Sequence, residues 1–261
     1  MAYIHYYVLL YIILSWFTKK MSETVFKETV LELKNLNVGY GSKEPILKNI
    51  NLEIEKGEII ALVGPSGAGK TTLIKTIASI IPQISGEICI LGECCADCLP
   101  SGNIGYIPQR LGLVSNKTVI ENVIFGKFHE MNFLDVFLSD PNKEITKEAM
   151  KILESLEIKE KANKQIKFLS GGERKRVAVA RTLLQKPKII LADEFLGELD
   201  DETSISVGFK MFNYVKKNNS SIIFVDHNPA RAMGVSDKIF KVCENKVIQL
   251  DKKEQNIEVA L

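Results

Sequence analysis

The sequence predicts an α/β fold built on a largely parallel β-sheet. Two observations carry that expectation. Short apolar runs such as Glu58–Val63, Ile189–Ala192 and Ile222–Val225 recur along the chain, and stretches of helical period lie between them. Runs that are apolar on both faces suit strands covered by other layers on both sides.

Taken in order, Leu31–Val38 and Asn51–Ile54 alternate apolar and polar residues, as half-buried strands do. Glu58–Val63 is nearly all apolar and runs into a glycine-rich turn, then a helix over Thr71–Ile80. Ile88–Leu91 and Ile104–Ile107 read as further short strands. From Thr118 to about Leu156 the period is mostly helical, with breaks near Gly126 and Pro141. Glu173–Leu184 is a helix, and Pro187 separates it from the buried strand Ile189–Ala192. A helix over Ile205–Lys217, a strand over Ile222–Val225 and a hairpin-like stretch complete the order. No internal repeat, low-complexity tract or long coiled coil interrupts it.

At 261 residues the chain suits one large α/β domain or two small ones. Its composition is 46% hydrophobic and 25% charged, with a formal net charge of +2. That balance argues against a polybasic nucleic-acid binder and against an acidic disordered tail, so no nucleic-acid partner is expected. Five cysteines are an odd number without a disulfide framework, and reduced thiols in a cytoplasmic compartment are the simplest reading. Cys94, Cys95 and Cys98 cluster just after Cys89, but no second C-x-x-C pair or nearby histidine completes a metal-ligand set. A solvated, thiol-bearing turn is expected there.

The first 20 residues differ from the rest. Ala2–Phe17 is almost wholly aliphatic or aromatic, and Lys19 and Lys20 close the run. It is shorter than the roughly 20 apolar residues of a membrane-spanning helix. Its charge also lies on the wrong side of the apolar run for a signal peptide. Residues 1–20 are therefore expected to be either untranslated, with Met21 as initiator, or a membrane-surface segment carrying interfacial Tyr and Trp. Residues 21–261 form the functional domain.

The chemistry begins at Gly64-Pro65-Ser66-Gly67-Ala68-Gly69-Lys70-Thr71, a G-x-x-x-x-G-K-[ST] run placed after a buried strand and before a helix. Gly64, Gly67 and Gly69 let backbone N–H groups curl around phosphate oxygens, and the helix aims its positive end at the same place. Lys70 then reaches the β- and γ-phosphates of a bound nucleotide, and Thr71 supplies a hydroxyl to Mg2+. Gly64 to Thr71, with Thr72 beyond them, are the expected phosphate-binding loop. Downstream, the apolar strand Ile189–Ala192 ends in Asp193 and Glu194. Asp193 can hold Mg2+ through water, while Glu194 can polarise a water in line with the γ-phosphate.

Kinases, GTPases, helicases and many other proteins share those features, and Leu169-Ser170-Gly171-Gly172-Glu173 narrows the field. Ser170 and Glu173 make a capping box, and the two glycines leave room for a second phosphate at a helix N-terminus. With that segment the sequence resembles the ATP-binding-cassette (ABC) ATPases, over about Val30 to Leu250. The resemblance implies a P-loop NTPase cassette with a mostly parallel sheet core, an antiparallel β subdomain and a helical signature subdomain over roughly 110–185. It also implies that Ser170, Gly171, Gly172 and Glu173 of one subunit close over ATP held by a second copy. By the same resemblance Tyr40 stacks on adenine, Gln109 senses Mg2+, Asp200 lies in the loop crossing the dimer interface, and His227 contacts the γ-phosphate. Phe195 stands where the family usually has Pro, and Gly197-Glu198 replaces the usual Ser-Ala.

The stretch from Ile104 to Phe137, with its Phe133–Leu138 insert, looks like the phosphonate- and phosphate-ester-import ATPases. That likeness implies an importer subunit at the cytoplasmic face of the membrane, partnered by integral membrane permeases and an extracellular solute-binding protein. Leu111–Lys127, with Leu113, Val114 and Phe125, would meet the membrane partner. A soluble cassette, such as an iron–sulfur-assembly ATPase, is the alternative that the cysteines encourage.

Overall fold

The computed structural model describes residues 28–41, 44–94, 102–130, 143–197 and 201–250, with backbone alone at 129–130 and 201–205. The leader, Cys95, Cys98, the Phe133–Leu138 insert and Asp200 lie outside the described residues.

Strands β1 (Thr29–Val38) and β2 (Leu47–Glu55) pair antiparallel. In β2 the buried residues Leu47, Ile50, Leu52 and Ile54 are separated by exposed polar ones, so one face packs and the other meets water. Strands β4 (Ser85–Ile90) and β5 (Glu93–Cys94) extend this sheet in the order β2-β1-β4-β5.

The second sheet contains β3 (Ile59–Val63), β6 (Ile104–Ile107), β7 (Ile189–Ala192), β8 (Ser221–Val225), β9 (Lys238–Cys243) and β10 (Lys246–Leu250). Its order is β10-β9-β3-β8-β7-β6, parallel throughout except for the β9–β10 hairpin. Every residue of β3, β7 and β8 is buried. The strand pleat explains why, since alternate residues serve two different cores. Ile60, Leu62, Leu191, Ile223 and Val225 pack with the antiparallel sheet and with Leu73, Ile74 and Ile77 of α1 (Lys70–Ile77). Ile59, Ala61, Val63, Ile190, Ala192, Ile222 and Phe224 pack against the remaining helices.

Those helices are α2 (Val119–Ile124), α3 (Lys143–Ser155), α4 (Gly171–Gln185), α5 (Asp201–Asn218) and α6 (Pro229–Val235). Thr118 and Glu121 form a capping box at the start of α2. Lys186, at φ 56°, terminates α4 just before Pro187. Phe195 is 1% exposed and sets its ring edge-on to Phe212 and Phe224 at 6.3 and 6.4 Å. The aromatic residue that replaces proline after Glu194 is thus a core anchor.

Several boundaries differ from the sequence expectations. Strand β2 begins at Leu47, earlier than Asn51, because Leu47 still pairs with Val38 of β1 across an irregularity where Asn49 takes φ 51°. Helix α1 ends at Ile77 because Ser79 takes φ 54°, which leaves Ile80 55% exposed. The helical stretch after Thr118 gives way to a 3-10 turn over Phe125–Glu130. A Cβ on Gly126 would lie 2.2 Å from the Arg181 carbonyl oxygen of α4, a close approach that only glycine permits.

The expectation of uniformly reduced thiols is corrected. Cys89 and Cys94 form a disulfide with Cα atoms 4.0 Å apart. Leu91 and Gly92, at φ 53° and 83°, form a two-residue hairpin turn that sets Cys89 opposite Cys94. Cys243 carries a free thiol. No group of three or more metal-ligating residues occurs among the described residues.

Candidate active site

The end of β3 passes directly into the glycine-rich loop, whose shape is set by the backbone angles it needs. Gly64 takes φ 147°, and a Cβ there would meet the Val242 carbonyl oxygen at 2.4 Å. Gly69 takes φ 103° with Ile46 and Leu47 side chains about its α-carbon, so a side chain there would also clash. A Cβ on Gly67 would meet nothing within 4 Å, which leaves that part of the loop open to a ligand. No side chain caps α1, so its first-turn N–H groups are offered to an anion.

Lys70 is 4% exposed, and its Nζ donates to the carbonyl oxygens of Gly64 at 2.7 Å and Pro65 at 2.8 Å. Burial lowers its pKa, while the charges of Glu194 and Asp193 oppose that shift. A desolvated ammonium held by neutral carbonyls is well prepared to exchange them for phosphate oxygens.

Asp193 follows β7 and is 1% exposed, with its N–H donating to the Ile107 carbonyl at 2.9 Å. Its Oδ1 accepts from Thr71 Oγ1 at 3.1 Å, whereas Oδ2 is buried without a hydrogen-bond partner. Burial raises the Asp193 pKa, which the Thr71 hydrogen bond partly opposes. An unused carboxylate oxygen beside a hydroxyl is a hard-oxygen donor set suited to Mg2+. The Tyr106 hydroxyl on β6 is also buried without a partner. Burial, then the Asp193 charge, pushes its pKa up to about 12.

Glu194 takes φ 53°, a left-handed backbone conformation uncommon for a non-glycine residue. Its Oε2 accepts from Gln109 Nε2 at 2.8 Å, and its Oε1 lies 2.6 Å from His227 Nε2. Gln109 follows β6 and His227 follows β8, so loops after three parallel strands converge on this carboxylate. Ligands bind at strand carboxyl ends in open α/β sheets.

A cleft of about 460 Å³ opens over these groups. It is bounded by Tyr40, Ser66, Gly67, Gly69, Lys70, Thr71 and Thr72, and by Gln109, Glu194 and His227. Tyr40 is 54% exposed, leaving its ring available for stacking. Gly64, Pro65 and Ala68 shape the loop without lining the cleft, and Asp193 is reached through Thr71. Ile46 also lines the cleft. Sequence reasoning missed it because Ile46 precedes an ordinary strand pattern and carries no chemical signal.

Ser170, Gly171, Gly172 and Glu173 do not line this cleft. They open α4, where Ser170 N donates to Glu173 Oε2 at 2.8 Å and Glu173 N to Ser170 Oγ at 3.3 Å. A Cβ on Gly171 would meet nothing within 4 Å, so nothing among the described residues requires its bareness.

A sequence profile described as ABC transporter matches residues 47–197, which span both the phosphate loop and the signature segment. The chain belongs to the ABC transporter ATPase family. As a member it binds and hydrolyses ATP. It is 37% identical to the phosphonates import ATP-binding protein of Fusobacterium nucleatum, over 84% of this chain and 91% of that protein. The hypophosphite import ATP-binding protein of Stutzerimonas stutzeri is 34% identical, over 85% of this chain and 67% of that protein. A spermidine/putrescine import ATP-binding protein of Legionella pneumophila is 33% identical, with 56% of its length covered. These relatives are importer subunits, which does not favour the soluble-assembly alternative.

Among solved structures, an ATP-binding cassette dimer in a post-hydrolysis state with ADP and Pi matches at TM-score 0.73 and 28% identity. That match covers 83% of this chain and 96% of that one. A nucleotide-free cassette matches at TM-score 0.74 and 21% identity, over 88% and 95% of the two chains, which shows the shared fold. Among the described residues no helix is long and apolar enough to cross a membrane.

Proposed function

We propose that this chain powers import of a phosphonate or a similar small solute through membrane permease subunits supplied by a solute-binding protein. The observation that carries the reading is its likeness, across nearly the whole length, to a phosphonates import ATP-binding protein. The relatives named for hypophosphite and spermidine/putrescine mark how far the solute can vary. The subunit works at the cytoplasmic face of the membrane as one of a pair. Each copy holds ATP in its own cleft and offers Ser170, Gly171, Gly172 and Glu173 to the partner's nucleotide. The open space at Gly171 supports that assignment, and Asp200 belongs to the loop between the copies.

Within the cleft, Tyr40 stacks on adenine and the Gly64–Thr72 loop wraps the phosphates. Lys70 gives up the Gly64 and Pro65 carbonyls to bind β- and γ-phosphate oxygens. Thr71, Asp193 and Gln109 would hold Mg2+, which would offset the charge that develops on the phosphates. Glu194 accepts a hydrogen bond from the attacking water and draws off its proton as the water oxygen bonds the γ-phosphorus. The bond to the β-phosphate oxygen breaks, leaving ADP and phosphate. His227 donates to the γ-phosphate, so its contact with Glu194 must open as ATP enters. ATP binding closes the pair and hydrolysis reopens it, moving the permease between two states.

Val114, Phe128 and Phe168 are 46%, 41% and 60% exposed. Backbone bonds join the segments of Val114 and Phe168, with Ile166 N donating to Lys117 O and Lys167 N to Ser115 O. Leu113 and Phe125 are only half-buried, and the Phe125 ring lies tilted 4.5 Å from that of Phe128. This apolar surface suits contact with a membrane subunit. Affinity capture of the tagged chain from native membranes in detergent tests the reading. Recovery of a polytopic permease supports it, and recovery of soluble factors alone overturns it.

A further inference from the structure

His227 projects from the loop after β8 with 43% of its side chain exposed, and its ring meets Glu194. A side chain that exposed takes its aim from the backbone beneath it, and here that backbone is bound on both sides. The preceding residue, Asp226, has a side chain only 1% exposed. Arg231 grips that carboxylate with two prongs, Nε to Oδ2 at 2.7 Å and Nη2 to Oδ1 at 2.8 Å. Asp226 Oδ1 also accepts from Asn228 N at 2.8 Å, and Asp226 N donates to the Leu62 carbonyl of β3 at 3.1 Å. The following residue, Asn228, caps α6 by accepting from Arg231 N at 3.1 Å. Asp226, Asn228 and Arg231 therefore close a ring of hydrogen bonds around His227 and anchor it to the central sheet.

We infer that the Asp226–Arg231 pair is a positioning device for His227, fixing the turn from which the imidazole reaches Glu194 and the γ-phosphate. A planar guanidinium meeting a buried carboxylate in a two-pronged grip fixes orientation as well as distance, which a lysine cannot reproduce. Burial of Asp226 makes the grip matter, because loss of Arg231 leaves a carboxylate only 1% exposed without its counter-charge. Small displacements of a group that must meet a transferring phosphate carry large rate penalties. Arg231 touches neither nucleotide nor water in this scheme. It acts through His227, and the inference rests on the γ-phosphate role proposed for that residue.

The test compares wild type, His227→Ala, Arg231→Lys, the charge-neutral pair Asp226→Asn with Arg231→Gln, and that pair combined with His227→Ala. Phosphate release gives kcat and KM, a fluorescent ATP analogue gives affinity, and thermal melts report folding. The expected result is a kcat at least about tenfold lower for the neutral pair, with KM and affinity within about twofold. Arg231→Lys, which keeps the charge and loses one prong, should fall between the neutral pair and wild type. In the His227→Ala background the pair should lower kcat no further. Wild-type kcat in a folded neutral pair, or an equal further loss without His227, would overturn the inference. If His227→Ala alone keeps wild-type kcat, the γ-phosphate role fails and the inference falls with it. If His227→Ala is slow while the neutral pair is normal, the inference alone fails.

Discussion

Replacing Asp193 with Asn should make the metal-free protein more stable while abolishing Mg2+-dependent hydrolysis. Asp193 is 1% exposed, and its Oδ2 has no hydrogen-bond partner. A buried, unsatisfied polar atom costs about 1–3 kcal/mol, and more when it is charged. Burial accordingly raises the Asp193 pKa, against the Thr71 hydrogen bond. The folded chain therefore holds the Asp193 proton more tightly than the unfolded chain does. Its stabilising effect is full at acid pH and is lost as pH rises through the raised folded value. At neutral pH the residue opposes folding, and an isosteric amide removes the charge, leaving only the smaller cost of a buried neutral polar group. A relief of about 1 kcal/mol corresponds to roughly 2–4 °C in Tm for a domain of this size. The assay is differential scanning fluorimetry of both proteins with EDTA, from acid pH near the ordinary Asp value up to pH 8, repeated with ATP and Mg2+. The variant's advantage should widen as pH rises, while only the wild type should gain stability from Mg2+ beyond that from ATP alone. A metal-free variant less stable than wild type at pH 8 would show that the buried Asp193 charge does not oppose folding.

Three further predictions follow from packing and stacking. Phe195→Ala removes a ring held between Phe212 and Phe224 and should cost about 3–5 kcal/mol in urea unfolding. Gly126→Ala drives a methyl into the Arg181 carbonyl oxygen and should cost about 1–3 kcal/mol by the same measurement. Tyr40→Ala should weaken ATP binding by about 1 kcal/mol or more, roughly fivefold by fluorescence titration, with kcat at saturation little changed.

The phosphate loop, the carboxylates after β7 and the capped α4 were legible because each is local. Gly64 to Thr71 are contiguous, Asp193 and Glu194 end a run of four buried residues, and Ser170 and Glu173 lie one helical turn apart. The order and buried character of the central strands were legible for the same reason, since both faces of β3, β7 and β8 are covered. What escaped depends on register or on long-range approach. The Cys89–Cys94 bridge needs the two-residue Leu91-Gly92 turn, and counting cysteines does not show which pair it aligns. The break at Gly126 comes from a carbonyl of α4, far away in sequence. Helix α6 is too short for its period to declare itself, although Asn228-Pro229 carries the cap and first-turn proline that mark its start. The grip of Arg231 on Asp226 appears only once that helix is in place.

Glu194→Gln tests whether ATP is held between two copies, each offering its Ser170–Glu173 segment to the other's nucleotide. That variant keeps the side-chain shape beside Gln109 and His227 but removes the carboxylate that would take the water's proton. Size-exclusion chromatography with light scattering, run with ATP and Mg2+, should show a stable dimer that Gly171→Glu in the same background prevents. A Glu194→Gln protein that binds ATP yet stays monomeric would contradict the account.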